Sequence, residues 1–427
     1  MSAELTLVDP TDSSPLYAKG RAATGAGVAA DAIELSLYHD LAAVEPVWRS
    51  VQKDAACTAF QTFEWLSAWQ RHVGARTGAT PCIVVARDAD GAPLFIVPLA
   101  VCTSCFAREL IWLGSDLCDY NAPIFARDAL DRLRRADFVA LWNNIASLLQ
   151  RDARSRHDLV RLDKMQPVIG GHPNPMLGLS TSLNPSGSYV TPLFGSWDEF
   201  YKAKRSSSTR RRDRSKRNHL AEAGEVQFAT AEDAATALDT FRVLVEQKSK
   251  TFARHGIANL FARPGYLDFY RDIAGDLATR DFVHISQLKV GNEIVATNLG
   301  LVFGDRYYHI LASYTDGPLS HWGPGAAHLN DLLAYAIERK CKAFDFTIGD
   351  ERYKRDWCDD VQQLHDHVAI ASWRGALVVG PRLTTHRLKR TIKQTPMLWA
   401  AVVKCRALAA RLRRAPVAPA AGEGESQ

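Results

Sequence analysis

Cysteine is scarce in this chain, at eight in 427 residues. The eight are Cys57, Cys82, Cys102, Cys105, Cys118, Cys341, Cys358 and Cys405, mostly inside apolar runs. A chain of this length needs no disulfide staples to build a core. Cys102 and Cys105 make a single C-x-x-C pair with no second pair at zinc-site spacing. They read as two thiols near a hairpin, and no metal is expected. No apolar run reaches the roughly 18 residues of a membrane span. The opening MSAELTLVDPTDSS has neither the basic nor the apolar region of a secretory signal. A cytoplasmic setting is the expectation. Charge of one sign is not dominant: 52 Lys and Arg face 47 Asp and Glu, for a formal +5. That excess is weak evidence for nucleic acid or an anionic membrane.

Hydrophobic residues are not lacking, at 47% of the chain, and the length suits two or three domains. Residues 1–30, rich in Ala, Gly, Ser and Thr, are expected to be disordered. Order is expected from Ile33, where IELSLYHD alternates as a strand, followed by helices at Leu41–Gln52 and Thr62–Val73. CIVVARDADGAPLFIVPLAV sets two apolar runs around Asp-Ala-Asp-Gly, which predicts a hairpin. A strand at Leu110–Gly114, helices over 128–150 and a strand at His157–Leu162 follow. The Pro, Gly and Asn cluster from Gln166 to Pro185 predicts a loop or inter-domain crossing. The second half repeats this order. It has a helix from Trp197, the strand GEVQFAT, and helices at Ala231–Phe252 and Gly265–Ala278. A hairpin turns at Gly291-Asn292, then come a strand at Arg306–Tyr314 and a helix at Ala326–Lys340. Strands at Ala343–Ile348 and His367–Ser372 close it. The expected fold class is α/β: two tandem units, 31–185 and 186–380, with mixed, mostly antiparallel sheets flanked by helices. Residues 381–427 are expected to form a basic amphipathic helix and a disordered tail, able to reach a membrane surface or a partner.

Five stretches carry candidate chemistry. FDFTIGDERYKRDW begins as a buried strand and opens into convergent charge at Asp345, Asp350, Glu351, Tyr353 and Lys354. An acid there could accept the proton of an attacking amine, Tyr353 could protonate a leaving thiolate, and Lys354 could hold an anionic acceptor. A solvated loop with salt bridges is the plainer alternative. HWGPGAAH places Gly323, Gly325, Ala326 and Ala327 where a glycine turn opens a helix, a setting that attracts phosphate. No Gly-Lys-Ser/Thr follows, so this is not a Walker loop. GSDLCDYNAPIF bunches Asp116, Asp119 and Tyr120 at a strand end, where they could line a cleft or simply make turns. Lys202–Leu220 holds nine Lys or Arg against one Asp, with Arg210 among them. It could be a solvated face or a site for RNA, a nucleotide-linked acceptor or acidic lipid. The fifth stretch is the tail itself.

Tyr307-Tyr308, Gly323-Pro324-Gly325, Asp345-Phe346, Gly349-Asp350-Glu351, Tyr353-Lys354 and Trp357 together resemble the BioF2-like acetyltransferase domain of the GNAT superfamily. That group includes CelD-type proteins of bacterial cellulose and exopolysaccharide synthesis, and is similar to the FemAB aminoacyltransferases. The likeness covers about residues 33–375. It departs at Gly323, where a serine is usual. It implies two GNAT-like units, with acyl-CoA, expected to be acetyl-CoA, as co-substrate at the 323–327 turn. It implies direct transfer to an amine, with Asp116, Asp119, Tyr120, Arg210, Tyr308 and Trp357 expected around the acceptor. It does not name the acceptor, for which a small molecule or a glycan or peptide precursor is expected. Two alternatives stay open: a FemAB-like transferase using aminoacyl-tRNA, and a non-catalytic accessory protein of a polysaccharide synthase.

Overall fold

The computed structural model describes residues 33–104, 106–133, 135–276 and 281–379. The expected disorder over residues 1–30, the basic tail helix and Cys105 all lie outside them.

The chain folds around one 13-stranded sheet. Its first half supplies β1 (Glu34–Tyr38), α1 (Leu41–Gln52), α2 (Phe63–Trp69), α3 (Ala75–Thr77), β2 (Thr80–Arg87), β3 (Pro93–Thr103) and β4 (Arg108–Trp112). Then come β5 (Ile124–Phe125), α4 (Ala129–Arg132), α5 (Arg135–Arg151), β6 (Leu159–Met165), and a small ribbon of β7 (Val168–Ile169) and β8 (His172–Pro173). The second half supplies β9 (Thr181–Pro192), α6 (Trp197–Lys204), α7 (Ser207–Glu222), β10 (Val226–Thr230), α8 (Ala234–His255) and α9 (Tyr266–Gly275). It ends with β11 (Val283–Val290), β12 (Glu293–Phe303), β13 (Arg306–Tyr314), α10 (Pro324–Glu338), β14 (Ala343–Ile348), α11 (Arg352–Arg355) and β15 (Val361–Ile370). Local chemistry starts several of these elements. The Asp40 carboxylate accepts from the Ala42 amide at 3.0 Å to cap α1. Ser196 and Glu199 close a capping box on α6.

The strand order is β1-β2-β3-β4-β6-β15-β9-β14-β13-β12-β11-β10, with β5 on β3. Two neighbouring pairs are parallel, β4 with β6 and β13 with β14; the others are antiparallel. The order is therefore repeated in mirror sense about the centre. The central strands are exchanged. β9 follows the first half in sequence but pairs with β14, and β15 ends the second half but pairs with β6. The predicted α/β class with two tandem, mostly antiparallel units is what the structure has. The expected boundary between residues 185 and 186 falls inside β9.

β9 itself corrects an expectation, since residues 166–185 read as loop. Asn184, Pro185 and Gly187 hide the strand in the sequence. The sheet accommodates them with a register shift, so that Gln363 faces Gly187 while His365 faces Leu183. A proline lacking an N–H is tolerated at such an irregularity.

One face of the sheet carries α1, α2, α8 and α9, whose apolar sides form a single core across both halves. At its seam Trp65 meets Phe269 edge-on, with centroids 4.8 Å apart. Arg71 and Arg76 reach across to Asp272 and Asp268 at 2.7 and 2.6 Å. On the other face α5 covers the first half, and α6 and α10 cover the second. Burying each such side chain stabilises by roughly 1.5–3 kcal/mol.

Candidate active site

β13 and β14 are paired only at Arg306–Ala343, Tyr307–Phe344 and Tyr308–Asp345. Beyond that point β13 stays with β12 and β14 with β9, so the two strands part. The β12–β13 register shifts just there, leaving Ile310 as an extra residue on β13. A cleft of about 690 Å³ opens in the gap, with His309–Tyr314 on one wall and Phe346, Thr347 and Ile348 on the other. Thr347 holds φ +60°, a strained value for a β-branched residue. Its amide donates to the Asp345 carboxylate at 2.8 Å, which helps hold that conformation.

The chain after β14 doubles back over the cleft. Lys354 is buried, donating to the Ile348 carbonyl at 2.9 Å and pairing with Glu351 at 2.9 Å. Gly349 sits under this pair at φ +130°. A methyl there would lie 2.5 Å from the Glu351 carboxylate and 3.0 Å from the Lys354 ammonium. Burial works against the Glu351 charge, but the Lys354 ammonium outweighs it and holds the carboxyl below its usual range. Burial pushes the Tyr353 phenol up, so it keeps its proton at neutral pH.

At the far end α10 begins. Gly323 caps it in the left-handed region at φ +69°, and Pro324 takes the first helical position. The amides of Ala326 and Ala327 both donate to the Gly323 carbonyl, at 3.0 and 3.1 Å. Gly325 is thus the first-turn amide left for a ligand. On the β13 wall the Ser313 hydroxyl is buried without a partner among the described residues. Such a group in a cleft is open to a water or a ligand.

The first half closes the cleft with the loop after β4. Asp116 lines it and is paired with Arg263 at 3.2 Å. Asp119 also lines it; burial pushes its carboxyl up, against the pull of Lys164, the Thr347 hydroxyl and Lys354.

The structure thus gathers Glu351, Tyr353, Lys354, Gly323, Gly325, Ala326, Asp116, Asp119 and Trp357 around one cleft. Arg210 and Ala327 line an adjoining chamber. Four expected site residues lie elsewhere. Asp345 is fully buried, taking hydrogen bonds from Tyr120 at 2.7 Å and Arg306 at 2.9 Å. Tyr120 and Tyr308 are buried with it, both edge-on to Phe60. They tie the halves together beneath the cleft. Asp350 is half-buried and is not among the lining residues.

The sequence reading missed several lining residues. Lys248 donates to the Ala312 carbonyl at 2.9 Å, and burial pushes its ammonium down. His309 and His328 are buried and pushed down to about 3, so they are neutral. Gln247 and Lys248, polar residues on the inward side of α8 next to Phe241 and Leu244, were the available signal. Among the described residues no cluster could hold a metal, and no helix is long and apolar enough to cross a membrane.

Comparison with known proteins gives one family match and likenesses of fold. Residues 207–355 match the model of a family described as acetyltransferase (GNAT) domain. A crystal structure of FemX superposes with a TM-score of 0.54 at 10% identity, covering 78% of this chain and 96% of that one. A conserved protein of unknown function from Bacteroides thetaiotaomicron gives 0.50 at 11%, covering 79% and 100%. A tandem GNAT protein from the clavulanic acid biosynthesis pathway gives 0.42 at 11%, covering 80% and 99%. The first two likenesses concern the fold alone. No curated protein matches the chain in sequence.

Proposed function

We propose that this chain, whose residues 207–355 match the model of a GNAT acetyltransferase domain, transfers an acyl group, in the first instance acetyl, from acyl-CoA to an amine. The observation that supports this most is the gap between β13 and β14, which runs without interruption to the glycine-opened start of α10. A diphosphate fits the Gly325 amide and the helix start. An extended amide arm fits the free edge of β13, where the Ser313 hydroxyl waits for a partner. The thioester then lies beside Glu351, Tyr353 and Lys354.

The reaction balances simply. The neutral amine nitrogen bonds to the thioester carbon, the C–S bond breaks, the amine proton leaves, and the thiolate takes a proton. Glu351, ionised by Lys354, orients the amine and accepts its proton. Tyr353, still protonated, donates to sulfur. A carboxyl held below its usual range is a weak base, so positioning does most of the work. For the acceptor we propose a small molecule or a glycan or peptide precursor; a link to cellulose or exopolysaccharide synthesis rests on the sequence resemblance.

Isothermal titration with acetyl-CoA, followed by thiol release in the presence of an amine panel, tests the reading. No heat at millimolar acetyl-CoA sinks it. The basic helix α7 favours a second reading, a FemAB-like transferase using aminoacyl-tRNA. Tight, steeply salt-dependent binding of charged tRNA with no acetyl-CoA binding would replace the first reading with the second.

A further inference from the structure

A second chamber of about 340 Å³ adjoins the cleft and shares Gly323, Ala326 and Asp213 with it. It lies between α6, α7 and the start of α10. Four cations of α7 line it: Arg210, Arg214, Lys216 and Arg217. Two are spoken for. Arg210 donates to the carbonyls of Lys202 and Arg205 at 3.1 and 3.0 Å. Arg217 grips Asp331 with both carboxylate oxygens at 3.1 and 3.0 Å. Asp213 accepts the Tyr201 hydroxyl at 2.7 Å. Arg214 and Lys216 have no acidic partner among the described residues. A methyl on Gly323 would sit 3.6 Å from the Lys216 ammonium, so this cation stands at the turn itself. Trp197, Tyr201 and Trp322 supply flat apolar walls.

Two chambers meeting at a helix start suit a ligand with three parts. The middle is anionic and rests on the turn. One arm enters the β13–β14 gap. The other end carries a flat ring and at least one further negative charge, matched by rings and two uncommitted cations. We infer that this chamber binds the phosphorylated purine nucleotide end of the donor, with Arg214 on a phosphate monoester remote from the diphosphate and Lys216 bridging toward the diphosphate. This rests on the acyl-CoA reading above and deepens it. The basic helix becomes a donor-selecting element of the site, in place of a solvated face or a surface for a polymer.

The experiment compares CoA with dephospho-CoA, which differs by that one phosphate, on the full chain by isothermal titration. CoA should bind the wild-type protein at least about tenfold more tightly, as one charge-assisted contact from Arg214 to a dianion requires. Arg214→Ala, at an exposed position, should bring CoA down to the dephospho-CoA affinity and leave dephospho-CoA unchanged. Lys216→Met should weaken both ligands. Unchanged melting temperatures confirm that the variants fold. Equal binding of the two ligands by the wild type, or equal weakening of both by Arg214→Ala, overturns the inference while the acyl-CoA reading stands. Binding of neither ligand removes the acyl-CoA reading and this inference with it.

Discussion

The two halves place a parallel strand pair at the same point; among the described residues the pair of the second half opens into a cleft and that of the first is filled. In the first half β4 and β6 pair at Glu109–Leu159, Leu110–Val160 and Ile111–Arg161, the same three-step ladder as β13 and β14. The chain then fills the gap. Asn121 bridges to Met165, its amide donates to the Lys164 carbonyl at 3.1 Å, and its side chain donates to the Asp163 carbonyl at 3.1 Å. Phe95, Phe125 and Phe138 pack close by, with centroids 5.6–5.9 Å apart. In the second half a glycine turn and a helix start lie at that position, and the gap stays open. Topology therefore provides two possible openings, and the segment following the fourth strand decides which one stays open. The filled half still contributes, because its plugging loop carries Asp116 and Asp119 into the open one.

The largest expected effect comes from cutting the tie between the halves. Asp345→Ala removes a fully buried carboxylate and leaves Arg306 and the Tyr120 hydroxyl without their partner. Losing one side of such a pair destabilises by about 3–5 kcal/mol. Urea unfolding should show that loss in a single transition. Two transitions, with the first half unmoved, would break the picture of exchanged halves sharing one core.

Acid should separate the halves next. His284, His309 and His328, all in the second half, are pushed down to about 3 by burial. The unfolded chain binds these protons near pH 6.5 and the folded one does not, so stability falls as pH drops below 6.5. At pH 5.5 the loss is about 1.4 kcal/mol per histidine, or ~4 kcal/mol together. Urea midpoints at pH 7.5 and 5.5 measure it, and His309→Gln should flatten the dependence by about a third. A smaller effect tests the plug. Asn121→Ala should lose about 1–2 kcal/mol. Calorimetry should still give one acyl-CoA site per chain; a second site would mean that the first mouth is only weakly closed.

Much of this was legible from period and punctuation. Alternation marked β1, the Asp-Ala-Asp-Gly turn marked the β2–β3 hairpin, and Gly291-Asn292 marked the β11–β12 hairpin. HWGPGAAH marked the start of α10. Local rules do not reach the exchange of β9 and β15, because a strand interrupted by Asn184, Pro185 and Gly187 is rescued only by the partners on either side. The same limit explains Asp345. Its charge within FDFTIGDERYKRDW looked catalytic, but its partner Tyr120 stands 225 residues away in sequence. Lys248 was hidden in the opposite way, inside a helix whose inward face was otherwise ordinary core.

Asp119 gives the finest test, because function and stability should move apart there. Burial pushes its carboxyl up, so the folded protein holds this proton more tightly than the unfolded chain does. Its charged form therefore works against folding at neutral pH, and the stability it lends is present only in acid and lost as pH rises through its folded pKa. Asp119→Asn removes that opposition and keeps the shape, so the urea midpoint should hold steady or rise slightly. Acyl transfer should nonetheless fall about tenfold, because the carboxylate that the first half sends beside Lys354 and Thr347 would no longer help seat an amine. Falling stability with unchanged transfer would return Asp119 to the turn chemistry of its own loop, and the first half would then be a scaffold only.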